Sequence, residues 1–327
     1  MVTIVRARRR SRVLTPSSLA CLSVLPTINL TTGCLHNCLY CYIRGYRNYP
    51  GESRIVLYKD TLERLKEELR DITTKPHAVY FSPSSDLFQP AEEVLELSHG
   101  VLECLLGQGI GVAFLTKGRI PEQTMRLLID NRDRVRAQIG IMTLDEHLAS
   151  VFEPHAARPR ERLSQLATLI QGGIQAEARI DPVLPSLTDS PEALASHFET
   201  LAQAGVKQAA VGILFLRPGI LYWLRRNLKG SEVLNTLLEN YQASTWQAMR
   251  GSPWPVQSAP ADVRSAIFER IRSAAKAVGM ELSVCACKNA DIVKGTCNIA
   301  GKWPSRTPNS RQPALPLTPI CASATID

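Results

Sequence analysis

The stretch "IQAEARIDPVLPSLTDSPEALASHFETLAQAGVKQAAVGILFL", residues 174–216, reads as strand, helix, strand. Its first part is β-rich up to Pro185. Ser190 then offers an N-cap, Pro191 fits the first turn, and Gly205 closes the helix. The run 207–216 is again apolar and strand-like. A strand joined to the next by a helix implies parallel pairing with a crossover. The same alternation runs upstream. Strands are predicted at 26–33, 78–84, 111–118 and 136–143, with helices at 59–72, 91–109, 121–130 and 160–173. Leu62, Leu65 and Leu69 mark the helical period of the first of these helices. Six strand–helix units are fewer than the eight of a closed barrel. The expected fold is therefore α/β: a partial (β/α)6 TIM-type barrel over residues 26–216. Reactive groups in such folds sit at the carboxyl ends of the strands, where Ser84, Lys117, Thr143 and Asp181 fall.

The flanks differ. Five arginines within residues 6–12 make residues 1–25 a basic N-terminal arm. In a chain of net charge +8, such an arm either tracks phosphates or serves only as a solvated tail. After residue 216 a mostly helical extension is expected over 217–301. It has a Pro-rich break at 251–260, and "MELSVCACK" (280–288) reads as a further strand. Residues 302–327 form a Pro-rich tail. No apolar run reaches the roughly 18 residues that span a bilayer. The short apolar segment before Pro26 has no cleavage site of the signal-peptide kind. A cytoplasmic protein without membrane attachment is expected.

Nine cysteines, an odd number, point to metal binding rather than a disulfide framework. Cys34, Cys38 and Cys41 lie in "GCLHNCLYCY" (33–42) with the spacing C-x3-C-x2-C. A structural zinc site takes four ligands, so zinc here would need His36 or a distant cysteine. A four-iron cluster also takes four thiolates when fully ligated. With three, one iron stays open to a small molecule.

That motif resembles the signature of the radical S-adenosylmethionine (SAM) enzymes. The resemblance implies a [4Fe-4S] cluster on Cys34, Cys38 and Cys41, with SAM on the open iron. It also implies reductive cleavage to a 5′-deoxyadenosyl radical that abstracts hydrogen from a substrate. "SPSSDLFQPAE", "FLTKG", "VFEPHAARPRERL" and "RIDPVLPSLTDS" resemble successive motifs of the spore photoproduct lyase-like branch, over roughly residues 27–216. By that resemblance Tyr40 lies against the adenosine, and Ser84 and Ser85 replace the usual glutamate at the amino group of SAM. Lys117 pairs with its carboxylate and Thr143 reaches the ribose. The last four also have plainer readings: the serines as turn residues, Lys117 as a surface lysine and Thr143 as a helix cap. Spore photoproduct lyases carry a hydrogen-donating cysteine where this chain has Pro83, so repair of a thymine lesion is not expected. A reductant such as flavodoxin or ferredoxin is implied.

Cys285, Cys287 and Cys297 form a second group, C-x-C-x9-C, at the end of the expected late strand. An auxiliary iron–sulfur cluster, zinc and plain cysteines all fit it; Cys321 could add a fourth ligand. Cys104 reads as a packed core residue. Two other functions fit parts of the pattern: an iron–sulfur electron carrier, and a zinc-containing nucleic-acid-binding protein. The substrate stays open among nucleic acid, peptide and small metabolite.

Overall fold

The computed structural model describes residues 2–17, 20–248, 254–284, 286, 288–289, 291–293 and 295–303. Its main sheet has seven strands in chain order: Thr27–Ile28, Ala78–Phe81, Gly111–Thr116, Val135–Gly140, Gln175–Val183, Gln208–Ile213 and Glu281–Val284. Every pair is parallel. Strands that follow one another in sequence and space, each reached by a right-handed crossover, put their helices on one face. The other face curves inward, which gives the expected partial barrel.

Side-chain alternation sorts the two faces. Ala137, Ile139, Ala178, Ile180, Ala209 and Val211 belong to the main apolar core beneath the helices. Their neighbours Arg136, Gln138, Glu177 and Arg179 are buried on the opposite, inner face. A barrel interior is ordinarily filled by branched apolar side chains. Here the middle strands Val135–Gly140 and Gln175–Val183 make that face polar and charged, whereas Ala78, Tyr80 and Ala113 pack against Leu22 and Leu25.

The seventh strand adds to the six expected. "MELSVCACK" does form a strand, and it pairs with Gln208–Ile213 in the same sheet. The sheet therefore runs past residue 216, into the segment read as an extension. The helices Pro218–Asn227, Glu232–Glu239 and Ala261–Ala277 lie between these two strands in sequence. Leu194, Leu201, Ile267 and Ile271 share one core, which ties the last of these helices to Pro191–Gln203.

The basic segment is folded rather than free, which corrects the expected arm. Thr3–Ala7 is a strand parallel to Arg54–Tyr58, and the latter also pairs antiparallel with Thr31–Thr32. Arg9 is buried over the Tyr58 ring, and its backbone N–H donates to Asp60. Two of the clustered arginines, Arg6 and Arg9, thus serve contacts within the molecule; Arg6 pairs with Glu93. No helix among the described residues is long and apolar enough to cross a membrane. The Pro-rich tail lies outside the described residues from residue 304 onward.

Candidate active site

The cysteine loop follows the short first strands. Gly33 opens it at φ +87°, and a Cβ there would stand 2.7 Å from Pro50 and 2.8 Å from the Arg54 carbonyl. Only glycine fits that close approach. The loop is then pinned along its length. Leu35 N donates to Gln89 Oε1 at 2.8 Å and Leu39 N to the Phe152 carbonyl at 2.9 Å. The buried Arg44 guanidinium donates to the carbonyls of Asn37 and Cys38, and pairs with Glu52 at 3.0 Å. Contacts from distant parts of the chain thus fix where three thiols point.

Cys34, Cys38 and Cys41 carry free thiols. Burial is the first cause that raises all three. Cys34 stands well above the ordinary thiol range, also through Asp86 and the other two cysteines, and Cys38 is pushed up to about 12. Three neighbouring thiols withdrawn from solvent to this degree, Cys38 buried and Cys34 and Cys41 half-buried, are hard to ionise unless they share a positive centre. Lys117, Arg44 and Arg217 oppose the rise at Cys41. Among the described residues no three His, Cys, Asp or Glu side chains converge on a single metal ion. The donor set fits a larger group that spreads three thiolates over three metals. His36 offers no fourth ligand: Nδ1 lies 3.1 Å from the His155 carbonyl and Nε2 3.3 Å from Asp86 Oδ2.

Asp86, the last residue of "SPSSD", organises the neighbourhood. Its carboxylate accepts from Thr116 Oγ1 at 2.7 Å, Phe88 N at 2.8 Å and Lys117 N at 2.9 Å. Burial alone would raise this carboxyl, but His36 and these hydrogen bonds hold it below the usual range. Sequence reasoning assigned Asp86 no role. Its only local signal is an aspartate at the exit of an apolar strand.

The expected site residues divide. Lys117, at the exit of Gly111–Thr116, places Nζ 5.5 Å from the Tyr40 ring centroid, on the side of Cys38 and Cys41. Among the described residues it has no carboxylate partner. Tyr40 is buried and gives its hydroxyl to Glu153, which pairs with Arg162 at 2.5 Å; all of these are in the interior. Ser85 Oγ is buried with no hydrogen-bond partner, whereas Ser84 lies near the Tyr46 hydroxyl. Tyr42 donates to the Pro83 carbonyl, which draws the serine loop onto the cysteine loop. Thr143 is committed locally, its Oγ1 accepting from Asp145 N at 3.1 Å.

Cys285 and Cys287 lie outside the described residues. Cys297 is buried against Ala210 and Ile299, on the inner face of the sheet beside Arg179. Cys104 packs against the main core from a helix, as expected. A cavity of about 630 Å³ opens between Arg136, Gln175, Gln208 and Trp303. It sits at the amino ends of the strands, and no residue of the cysteine loop lines it.

The family model described as the radical SAM superfamily matches residues 28–198, just over half of the chain. An uncharacterized protein of Mycobacterium tuberculosis is 28% identical over 206 residues, covering 60% of this chain and 61% of that protein. A radical SAM Nalpha-GlyT isomerase of Pseudomonas phage M6 is 27% identical over 173 residues, covering 53% of this chain and 35% of the isomerase. The chain thus spans about three fifths of the length of the mycobacterial relative. Among solved structures, a spore photoproduct lyase mutant with bound AdoMet and dinucleoside spore photoproduct superposes with a TM-score of 0.65. It shares 14% identity and covers 86% of this chain and 81% of its own.

Proposed function

Because the chain belongs to the radical SAM superfamily and is an enzyme of it, we propose that Cys34, Cys38 and Cys41 hold a [4Fe-4S] cluster whose open iron binds SAM. When bound, that pair supplies reductive cleavage of the sulfonium and a 5′-deoxyadenosyl radical that takes hydrogen from the substrate. The observation that carries the reading is the loop itself: three thiols, one buried and two half-buried, on a loop fixed by Arg44, Gln89 and Phe152, beside Lys117, which has no carboxylate partner among the described residues.

The protein's own residues bind, orient and exclude water. Lys117 pairs with the carboxylate of SAM, because no carboxylate among the described residues neutralises it. Ser85 offers its orphaned hydroxyl to the amino group, with Ser84 beside it. Tyr40 presents its ring to the adenosine, held in place through Glu153 and Arg162. Thr143 accepts from Asp145 N and keeps its O–H to donate to a ribose oxygen. An external one-electron reductant such as flavodoxin or ferredoxin feeds the site, which suits a reducing cytoplasm.

Anaerobic reconstitution with iron and sulfide tests this. The protein should turn brown, and its cluster spectrum should change on addition of SAM. Cys34→Ala, Cys38→Ala and Cys41→Ala should each abolish SAM cleavage, since two thiolates cannot hold the cluster. A colourless wild type, or a variant that cleaves SAM at the wild-type rate, overturns the assignment.

A further inference from the structure

On the inner face of the sheet, Gln175–Val183 carries a column of polar side chains that ends in Arg179 and Asp181 at the carboxyl edge. Arg179 pairs with Asp181 at 2.7 Å, and Lys288, from beyond the seventh strand, pairs with the same carboxylate at 3.0 Å. Burial alone would raise Asp181, but the two cations hold it well below the usual range. The space for this carboxylate is made by Gly212 on the next strand, where a Cβ would stand 2.9 Å from Asp181 Cγ.

The cations outnumber the anions here. Arg179 and Lys288 share one carboxylate. Deeper in the column, Glu177 is occupied by Asn298 at 2.5 Å and Gln138 at 3.3 Å, and burial pushes it toward its neutral form. Arg217 follows the strand Phe215–Leu216. Its guanidinium lies 5.3 Å from the Tyr42 ring and 5.5 Å from the Phe215 ring, and its Nε is buried with no hydrogen-bond partner. Lys288 Nζ meets the same Phe215 ring at 5.0 Å. Tyr42 directly follows Cys41, so this cationic group borders the cysteine loop. Arg179 Nε is also buried without a partner. Leaving buried guanidinium donors unpaired is costly, and a ligand supplying oxygen acceptors removes the cost.

We propose that Arg217 and Lys288, both set against Phe215, bind an oxyanion carried by the substrate, a carboxylate or a phosphate. This rests on the radical-enzyme reading and names its substrate class. Asp181 is a positioning residue: itself paired with Arg179, it holds Lys288 toward the ring from more than a hundred positions away in the chain. SAM does not satisfy these cations, because its single carboxylate is taken by Lys117 and its own net charge is positive.

Calorimetric titration at low ionic strength tests the site, with inorganic phosphate and acetate as the two probes. Wild type should bind at least one of them. Phosphate preferred over acetate assigns a phosphate-bearing substrate, and the reverse order a carboxylate. Arg217→Gln and Lys288→Gln should each weaken binding by about tenfold or more, the size of one charge-assisted hydrogen bond. Arg217→Lys should retain binding. Arg225→Gln, an exposed arginine on the following helix, should change nothing. Lys288→Gln stands as an independent arm if Arg217→Gln fails to fold. The titrations are run with and without loaded iron. Failure to take up iron removes the cofactor assignment alone, whereas anion binding absent from both forms removes this one. Equal affinity in wild type, Arg217→Gln and Lys288→Gln also overturns it. So does complete displacement of the probe by saturating SAM, which would make these cations part of the SAM site.

Discussion

The backbone N–H of Lys117 donates to Asp86 Oδ2 at 2.9 Å, and the same oxygen stands 3.3 Å from His36 Nε2 in the cysteine loop. One buried carboxylate therefore sets the distance between the lysine proposed for SAM and the loop proposed for the cluster. Asp86→Asn keeps the shape but removes the charge facing His36. Breaking a buried charged contact typically costs about 3 kcal/mol. Chemical denaturation should show a loss of that order, and reconstituted iron should fall with it. Wild-type stability together with full iron would deny Asp86 this role.

Lys117 has no carboxylate partner among the described residues, so its charge is free for a ligand. Lys117→Ala should weaken SAM binding by about 1.5–3 kcal/mol, the range for hydrogen bonds to charged groups. Iron content should stay at the wild-type level, because Lys117 is no ligand. Equilibrium dialysis with labelled SAM reads the first quantity and iron analysis the second. Unchanged affinity would return Lys117 to the role of a solvated side chain.

His197 is buried on the core face of Pro191–Gln203, and burial, with Arg162 nearby, lowers its pKa from 6.5 to about 4. Above pH 6.5 the ring is neutral in both folded and unfolded chains. Between 6.5 and about 4 the unfolded chain binds a proton that the folded one refuses, so stability falls as the pH drops through that window. The loss should approach about 3 kcal/mol at its acid end. His197→Asn should flatten this part of the pH–stability curve in urea titrations. An unchanged slope in the variant would assign the acid loss to other groups.

The second cysteine group gives an iron count. Wild type should hold close to two clusters' worth of iron and sulfide if Cys285, Cys287 and Cys297 bind an auxiliary cluster. The triple alanine variant should hold one, with SAM binding intact. Equal iron in both proteins excludes the second cluster, and zinc confined to wild type would replace it with a structural metal.

Much of this protein is local information. The Ser190–Pro191 start and Gly205 stop of one helix, the apolar runs of the strands, and the cysteine spacing of 34, 38 and 41 each depend on neighbours within a few residues. Periodicity and capping act over that range, so the parallel sheet and the cysteine loop are legible in the sequence by itself. Tertiary structure decided the rest. Arg6 and Arg9 read as a solvated arm because nothing near them reveals Glu93, Tyr58 or Asp60. Asp86 became a hub only once the exits of two strands met the cysteine loop. Asp181 could be set at a strand exit from the sequence, but nothing along the chain marks Arg179 and Lys288 as its partners, and the fold brings the three together at the carboxyl edge of the sheet. A charge pairs with whatever the fold brings within a few ångströms, and that partner leaves no mark on the flanking sequence.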